Sequence, residues 1–140
     1  LIDTIYRTIE TGKPFLGICL GMQLLFEKSH EGGLFTGLSL LPGEVKRIPE
    51  HLNVKIPHIG WNELKHSPNP IFRSLEQPCF VYFVHSYYVE PENSKDIIAT
   101  TFYGMNIPVA VNRGNIYAVQ FHPEKSGQEG LKILRNFAQL

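Results

Sequence analysis

The sequence has 140 residues, with 13 basic and 13 acidic side chains and a formal net charge of zero. That length suits one domain, residues 1–140, and the charge balance excludes the broad basic face of a nucleic-acid-binding protein. Hydrophobic residues make up 43% of the chain, enough for a real core, while no apolar run approaches the roughly 20 residues that span a bilayer. Cys19 and Cys79 are too few for a disulfide scaffold. With no readable signal peptide, a reducing, cytoplasmic setting is expected.

The chain opens on Leu1 and enters a helical pattern at once, with Ile2, Ile5 and Ile9 at helical spacing and Gly12 where a helix would end. A natural N-terminus usually has some lead-in, so a fragment is expected. After Lys13-Pro14, the apolar run 15–19 reads as a strand buried on both faces, as in parallel sheets. Residues 20–28 read as a helix and residues 31–43 as a Gly-rich loop with a Pro42-Gly43 turn. Residues 44–48 and 54–59 are candidate strands, and 71–75 a helical turn. Residues 79–89 give the clearest strand, with Val81, Phe83, His85, Tyr87 and Val89 on one face by the two-residue period. Strands follow at 97–103, 109–113 and 115–121, the last two joined by a tight turn at Gly114. Ser126 and Glu129 stand at capping-box spacing before a final helix, whose apolar face is expected from Leu131, Ile133, Leu134, Phe137 and Ala138. Mixed strands and helices point to an α/β domain.

Gly17-Ile18-Cys19-Leu20-Gly21 places a thiol at a strand-to-helix junction with glycine two places before and two after. This is a thiol version of the nucleophile elbow. A side chain at 17 or 21 is expected to clash, and the helix start is expected to stabilise a thiolate and lend backbone N–H groups to an oxyanion. A buried cysteine flanked by convenient glycines is an equal reading of these five residues alone. Farther on, His122-Pro123-Glu124 ends a strand. Proline fixes the local backbone, so His122 and Glu124 project to one side, and Glu124 can orient the imidazole that takes a proton from Cys19. Alone, that string is more simply a strand-end turn. Combined with the elbow it completes a Cys–His–Glu arrangement.

Gly17-Ile18-Cys19-Leu20-Gly21-Met22-Gln23, followed far downstream by His122-Pro123-Glu124, resembles the triad (class I) glutamine amidotransferases. Pro57-His58-Ile59-Gly60-Trp61-Asn62, His85-Ser86-Tyr87 and the Lys125-Ser126 tail narrow the resemblance to the glutaminase subunits of imidazole glycerol phosphate synthases. The motifs fall in the right order from Leu1 to Leu140. The resemblance implies an open mixed sheet flanked by helices, flavodoxin-like, and hydrolysis of glutamine to glutamate and ammonia through a cysteine thioester. It makes Cys19 the nucleophile, His122 the general base and acid, and Glu124 its orienter. Leu20 would supply an oxyanion N–H, and Gly17, Gln23, Ser86 and Tyr87 would bind glutamine.

The implied partner is a cyclase subunit, a (β/α)8 barrel that receives the ammonia in a heterodimer and makes imidazole glycerol phosphate and AICAR in histidine biosynthesis. Trp61, Asn62, Tyr82 and Lys125 would face it, although Trp61 taken alone suits a core as well. Tyr82 and Tyr87 are expected on opposite faces of one strand. No cofactor is expected, and His30, His51, His58 and His66 lack metal-ligand spacing, so no metal site is expected either. Family members carry N-terminal strands and a loop that supplies a second oxyanion donor. Those are expected to lie outside this sequence, leaving an apolar sheet edge that favours association. The competing readings are a stand-alone γ-glutamyl hydrolase and a silent binding domain of the same fold.

Overall fold

A computed structural model describes all 140 residues. Helix α1 (Ile2–Glu10) ends at Thr11 and Gly12, as its spacing predicts, but none of its residues is fully buried. Strand β1 (Phe15–Ile18) runs parallel to β10 (Ile116–Val119) in register from Phe15 opposite Ile116 to Ile18 opposite Val119. It is the end strand of its sheet and only Gly17 is buried, so the expected burial on both faces is not seen.

Helix α2 (Leu20–Leu24) is far shorter than the expected 20–28. The carbonyls of Leu24 and Leu25, which a longer helix would use, instead accept from the N–H groups of Leu38 (2.8 Å) and Leu40 (2.9 Å). The chain therefore turns at once into strand β2 (Phe26–Ser29), which buries Phe26 and exposes Glu27 and Lys28. The expected loop 31–43 contains β3 (Phe35–Thr36) and the start of β4 (Leu41–Arg47). Gly43 lies inside β4 rather than in a turn. A Cβ there would stand 2.5 Å from the Glu90 carbonyl oxygen of β7 (Tyr87–Pro91), and its φ of +139° also requires glycine.

The expected strand 54–59 begins later, as β5 (His58–His66), which pairs antiparallel with β6 (Cys79–His85). Burial alternates along β6, with Cys79, Val81, Phe83 and His85 inside. The expected strand 79–89 breaks at Ser86, whose carbonyl accepts from the Ile48 N–H at 2.9 Å. Beyond that break β7 joins β4 in another sheet, so Tyr82 and Tyr87 belong to different sheets rather than to two faces of one strand. Strands β8 (Ile97–Phe102), β9 (Asn106–Arg113) and β10 then form an antiparallel meander.

The strands divide into a six-stranded sheet of order β1-β10-β9-β8-β5-β6 and a four-stranded sheet of order β3-β2-β4-β7. Helix α3 (Gly127–Ala138) covers the first. The expected capping box does not form. Ser126 Oγ instead donates to the His122 carbonyl and accepts from the Tyr82 N–H, while Glu129 accepts from the Glu76 N–H. The buried face of α3 is Gly130, Ile133 and Asn136, and Leu131 and Ala138 are exposed. Asn136 takes a core position because its amide satisfies the carbonyls of Ile71 and Arg73.

The larger core includes Leu64, Val81, Phe83, Val119, Phe121 and Ile133, and a second one holds Met22, Phe26, Val45, Val89 and Val111. Truncating a ring such as Phe83 to Ala would cost about 3–5 kcal/mol. No helix is long and apolar enough to cross a membrane. The class is thus α/β, with mixed sheets flanked by helices as expected, the strands being divided between two sheets.

Candidate active site

The parallel pairing of β1 and β10 builds the site. The Cys19 N–H still donates to the Val119 carbonyl at 2.8 Å, and there the two strands part. One leads to the Cys19 thiol, the other through Gln120 and Phe121 to His122. Both chemical groups thus leave the carboxyl ends of adjacent parallel strands, where α/β sheets commonly bind ligands.

Cys19 has φ 54° and ψ −108°, an uncommon backbone state for a residue with a side chain. Gly17 permits the turn, since a Cβ there would meet the Gly21 carbonyl oxygen at 2.9 Å. Gly21 itself is open, with nothing within 4 Å of the point where a Cβ would stand, so the clash expected there is absent. Cys19 is half-buried, and its sulfur faces the Val84 carbonyl oxygen at 4.0 Å and the Gln120 Nε2 at 3.6 Å. Burial pushes the thiol above its ordinary range, more than the Leu20 N–H and the Gln120 amide draw it down. The expected net stabilisation of a thiolate is therefore not found in the resting site.

His122 Nδ1 lies 2.9 Å from Glu124 Oε2, so the two side chains do project together. An ionised carboxylate only accepts, which puts the proton on Nδ1 and leaves Nε2 as the basic nitrogen. The His122 N–H donates to the Tyr82 carbonyl at 3.0 Å, which fixes the turn to β6. Neither hydrogen bond of the Cys19 sulfur goes to His122, but the charges of Glu124 and Lys125 both act on that sulfur.

Gln23 does not project freely from α2. Its Nε2 donates to the Tyr87 carbonyl and to Gln120 Oε1, each at 3.1 Å. Leu20 is exposed beside the sulfur, and Ser86 and Tyr87 are half-buried. A cavity of about 200 Å³ lies against Leu20, Gln23, Ser29, Glu31 and Phe35. Glu31 is a carboxylate that the sequence did not single out, because it stands in a Gly-rich loop with no periodicity. A second cavity of about 550 Å³, among Glu27, Glu44, Glu90 and Glu92, lies on the four-stranded sheet and includes none of the residues around Cys19.

Behind the site is a buried histidine pair. His58 Nδ1 and His85 Nε2 are 2.9 Å apart, and His85 Nδ1 is 2.8 Å from the Tyr87 carbonyl oxygen. A carbonyl can only accept, so His85 carries its proton on Nδ1 and receives one from His58 on Nε2. Burial lowers both, His58 to about 4 with help from the neighbouring His85. Phe83 and Tyr103 stack on the two sides of His58.

Trp61 is 57% exposed on the outer face of β5 and meets Tyr82 edge-on, with ring centroids 6.0 Å apart. Ile59, Phe80 and Val84 are exposed on the same face of the β5–β6 hairpin. Asn62 points the other way. Its amide donates to the Phe102 carbonyl at 2.9 Å and contacts His58 Nε2 at 3.3 Å, so the expected grouping of Asn62 with Trp61 is not found. Lys125 is exposed in the short turn after His122.

A strained thiol thus stands at a strand-to-helix turn, and a hydrogen-bonded His–Glu pair follows the end of the neighbouring parallel strand. The family model described as "Glutamine amidotransferase class-I" matches residues 1–140, and the chain belongs to that family. It is 49% identical over 141 residues to the imidazole glycerol phosphate synthase subunit HisH of Moorella thermoacetica, an alignment covering 100% of this chain and 66% of that protein. It is 53% identical over 138 residues to the HisH subunit of Aquifex aeolicus, covering 98% of this chain and 66% of that one. The chain thus spans about two thirds of the length of these curated relatives. A crystal structure of a glutamine amidotransferase from Thermotoga maritima shares the fold, with a TM-score of 0.64 at 21% identity over 99% of this chain and 52% of that one. Another glutamine amidotransferase crystal structure gives 0.68 at 19% identity, covering 98% and 68%.

Proposed function

We propose that this chain carries the glutamine-hydrolysing site of an imidazole glycerol phosphate synthase, with Cys19, His122 and Glu124 as its triad. The observation that supports this most is the delivery of Cys19 and His122 from the ends of the paired strands β1 and β10. In the reaction, His122 Nε2 takes the thiol proton and the sulfur attacks the side-chain amide carbon of glutamine. The negative oxygen of the tetrahedral intermediate receives the Leu20 N–H. His122 returns the proton to the amide nitrogen, the C–N bond breaks, and ammonia leaves a glutamyl thioester. Water, deprotonated by His122, attacks the thioester carbon, the carbon–sulfur bond breaks, His122 returns the proton to sulfur, and glutamate leaves with the thiol regenerated. Glu124 holds the Nδ1–H tautomer and stabilises the transient imidazolium.

The cavity beside Leu20 and Gln23 takes the amino-acid end of glutamine, with Glu31 opposite its ammonium group. Gly17 permits the turn, Gln23 braces the Tyr87 backbone, and Ser86 and Tyr87 border the substrate from the break between β6 and β7. No cofactor or metal has a part in these steps. The ammonia passes to a cyclase subunit, a (β/α)8 barrel, docked over Trp61, Tyr82 and Lys125, and the heterodimer works in the cytoplasm. The exposed aromatic face of the β5–β6 hairpin favours a docked subunit over a stand-alone γ-glutamyl hydrolase. The test is glutamate release by the full-length protein with the cyclase subunit, with and without the cyclase ligand. Ligand-stimulated release that Cys19→Ser abolishes is expected. Release that survives Cys19→Ser would overturn the proposal.

A further inference from the structure

The triad leaves one side chain at the sulfur without a role. Gln120 is fully buried between two fully buried apolar residues, Val119 and Phe121. A buried amide is costly unless its hydrogen bonds are made. Its backbone N–H donates to the Val109 carbonyl at 2.8 Å, its Oε1 accepts from Gln23 Nε2 at 3.1 Å, and its Nε2 donates to the Cys19 sulfur at 3.6 Å.

The orientation of this amide is fixed from outside. The Tyr87 carbonyl can only accept, so Gln23 presents its NH2 group there. The same NH2 group reaches Gln120, which must answer with its oxygen. The Gln120 NH2 group is thereby left facing the sulfur. His85 Nδ1 donates to the same Tyr87 carbonyl at 2.8 Å and steadies the acceptor from the other side. A neutral thiol is a weak acceptor, whereas an anionic sulfur is a strong one. The contact therefore gains strength when the proton leaves Cys19.

We propose that Gln120 is a fixed N–H donor to the Cys19 sulfur, holding it in place and stabilising it as an anion, with Gln23 as the residue that sets the donor's orientation. This rests on the reading of Cys19 as nucleophile. When His122 removes the thiol proton, charge builds on sulfur and the Gln120 N–H bond tightens. As the carbon–sulfur bond forms, that charge moves to the substrate oxygen and the bond relaxes. No proton leaves the amide. The effect falls on thioester formation and little on the binding of glutamine. In the resting site, Gln120 is one of the groups that oppose the effect of burial on the thiol.

The test is the pH dependence of Cys19 alkylation by iodoacetamide, mapped by peptide mass in the full-length protein and its Gln120→Met and Gln120→Glu variants. Melting temperature is followed in parallel. In Gln120→Met the half-point of alkylation moves up by roughly one pH unit, and kcat for glutamine at neutral pH falls roughly tenfold with KM changed far less. Gln120→Glu, near-isosteric and still able to accept from Gln23, is the second variant, and once its carboxyl is ionised the half-point moves further because a carboxylate repels the thiolate. Gln23→Met moves it by a smaller amount in the same direction. An unchanged alkylation profile in a folded Gln120 variant overturns the inference. A shifted profile in a protein that never hydrolyses glutamine, even with the cyclase subunit and its ligand, overturns the proposed function while the donor role at sulfur stands.

Discussion

His122 donates its backbone N–H to the Tyr82 carbonyl at 3.0 Å, and Tyr82 donates its own N–H to Ser126 Oγ, also at 3.0 Å. Both backbone groups of Tyr82 are thus held by the turn that carries the imidazole. Two residues along the same strand, the Val84 carbonyl faces the Cys19 sulfur. Strand β6 therefore contacts both the turn that carries His122 and the Cys19 sulfur, while the Tyr82 ring lies on its outer face against Trp61. Ser126→Ala removes the hydroxyl that closes this turn and leaves the half-buried Tyr82 N–H unpaired. It should destabilise the protein by about 1–3 kcal/mol and lower kcat through a looser His122. Urea unfolding and steady-state kinetics on the same preparation check both effects.

On the proposed triad, removing the base should cost more than removing its orienter. His122→Ala should reduce glutamine turnover by roughly 10²–10⁴-fold, the usual worth of a positioned proton acceptor. Glu124→Gln should cost less and leave stability nearly unchanged, because the Glu124 carboxylate is about half exposed and such pairs contribute little. Steady-state rates of glutamate release decide it, and near wild-type turnover in His122→Ala would remove His122 from the mechanism.

The outer face of β5–β6 and its inner face should respond differently. Trp61→Ala and Tyr82→Ala should each weaken association with the cyclase subunit by about 2 kcal/mol or more, with little change in melting temperature. Asn62→Ala should do the opposite, costing about 1 kcal/mol of stability, since its amide serves the Phe102 carbonyl and the buried His58 ring of the same chain. Calorimetric titration with the partner, paired with thermal melts, separates the two effects.

The histidine pair makes stability depend on pH in a definite direction. His58 titrates at about 4 in the folded chain, against 6.5 for a free histidine, because burial and His85 both disfavour its charge. A group with a lowered folded value binds fewer protons when folded than when unfolded. Its contribution is therefore complete above about pH 6.5 and is lost as pH falls toward 4, a change on the order of 3 kcal/mol. His85 acts in the same direction. Urea midpoints at pH 7 and pH 4.5 should differ accordingly, and His58→Phe should flatten that difference.

Much of the candidate site's local geometry was legible in the sequence because it rests on backbone rules. Glycine at 17, proline at 123 and the two-residue offset of His122 and Glu124 dictate turn geometry with little help from the rest of the fold. Long-range hydrogen bonding was not legible. The carbonyls of Leu24 and Leu25 are captured by a segment fourteen or more residues away, which cuts α2 short. The Ile48 N–H draws Ser86 out of line and sends β7 to another sheet. Ser126 and Glu129 have the spacing of a capping box, yet each finds a partner outside the helix. Gln120 was hidden for the same reason, since its meaning depends on Gln23, ninety-seven positions earlier. Glu31 gave no sign, because nothing in its loop announces a cavity.

The central claim is that Cys19 attacks glutamine, and the most direct measurement is covalent labelling of the full-length protein with a glutamine-analogue chloroketone, followed by mapping of the adduct. Cys79 is fully buried and its thiol is pushed up to about 11, so it should not react. The account predicts a single adduct on Cys19, formed more slowly when free glutamine competes. An adduct on Cys79 in place of Cys19, or labelling of Cys19 that glutamine does not slow, would contradict it.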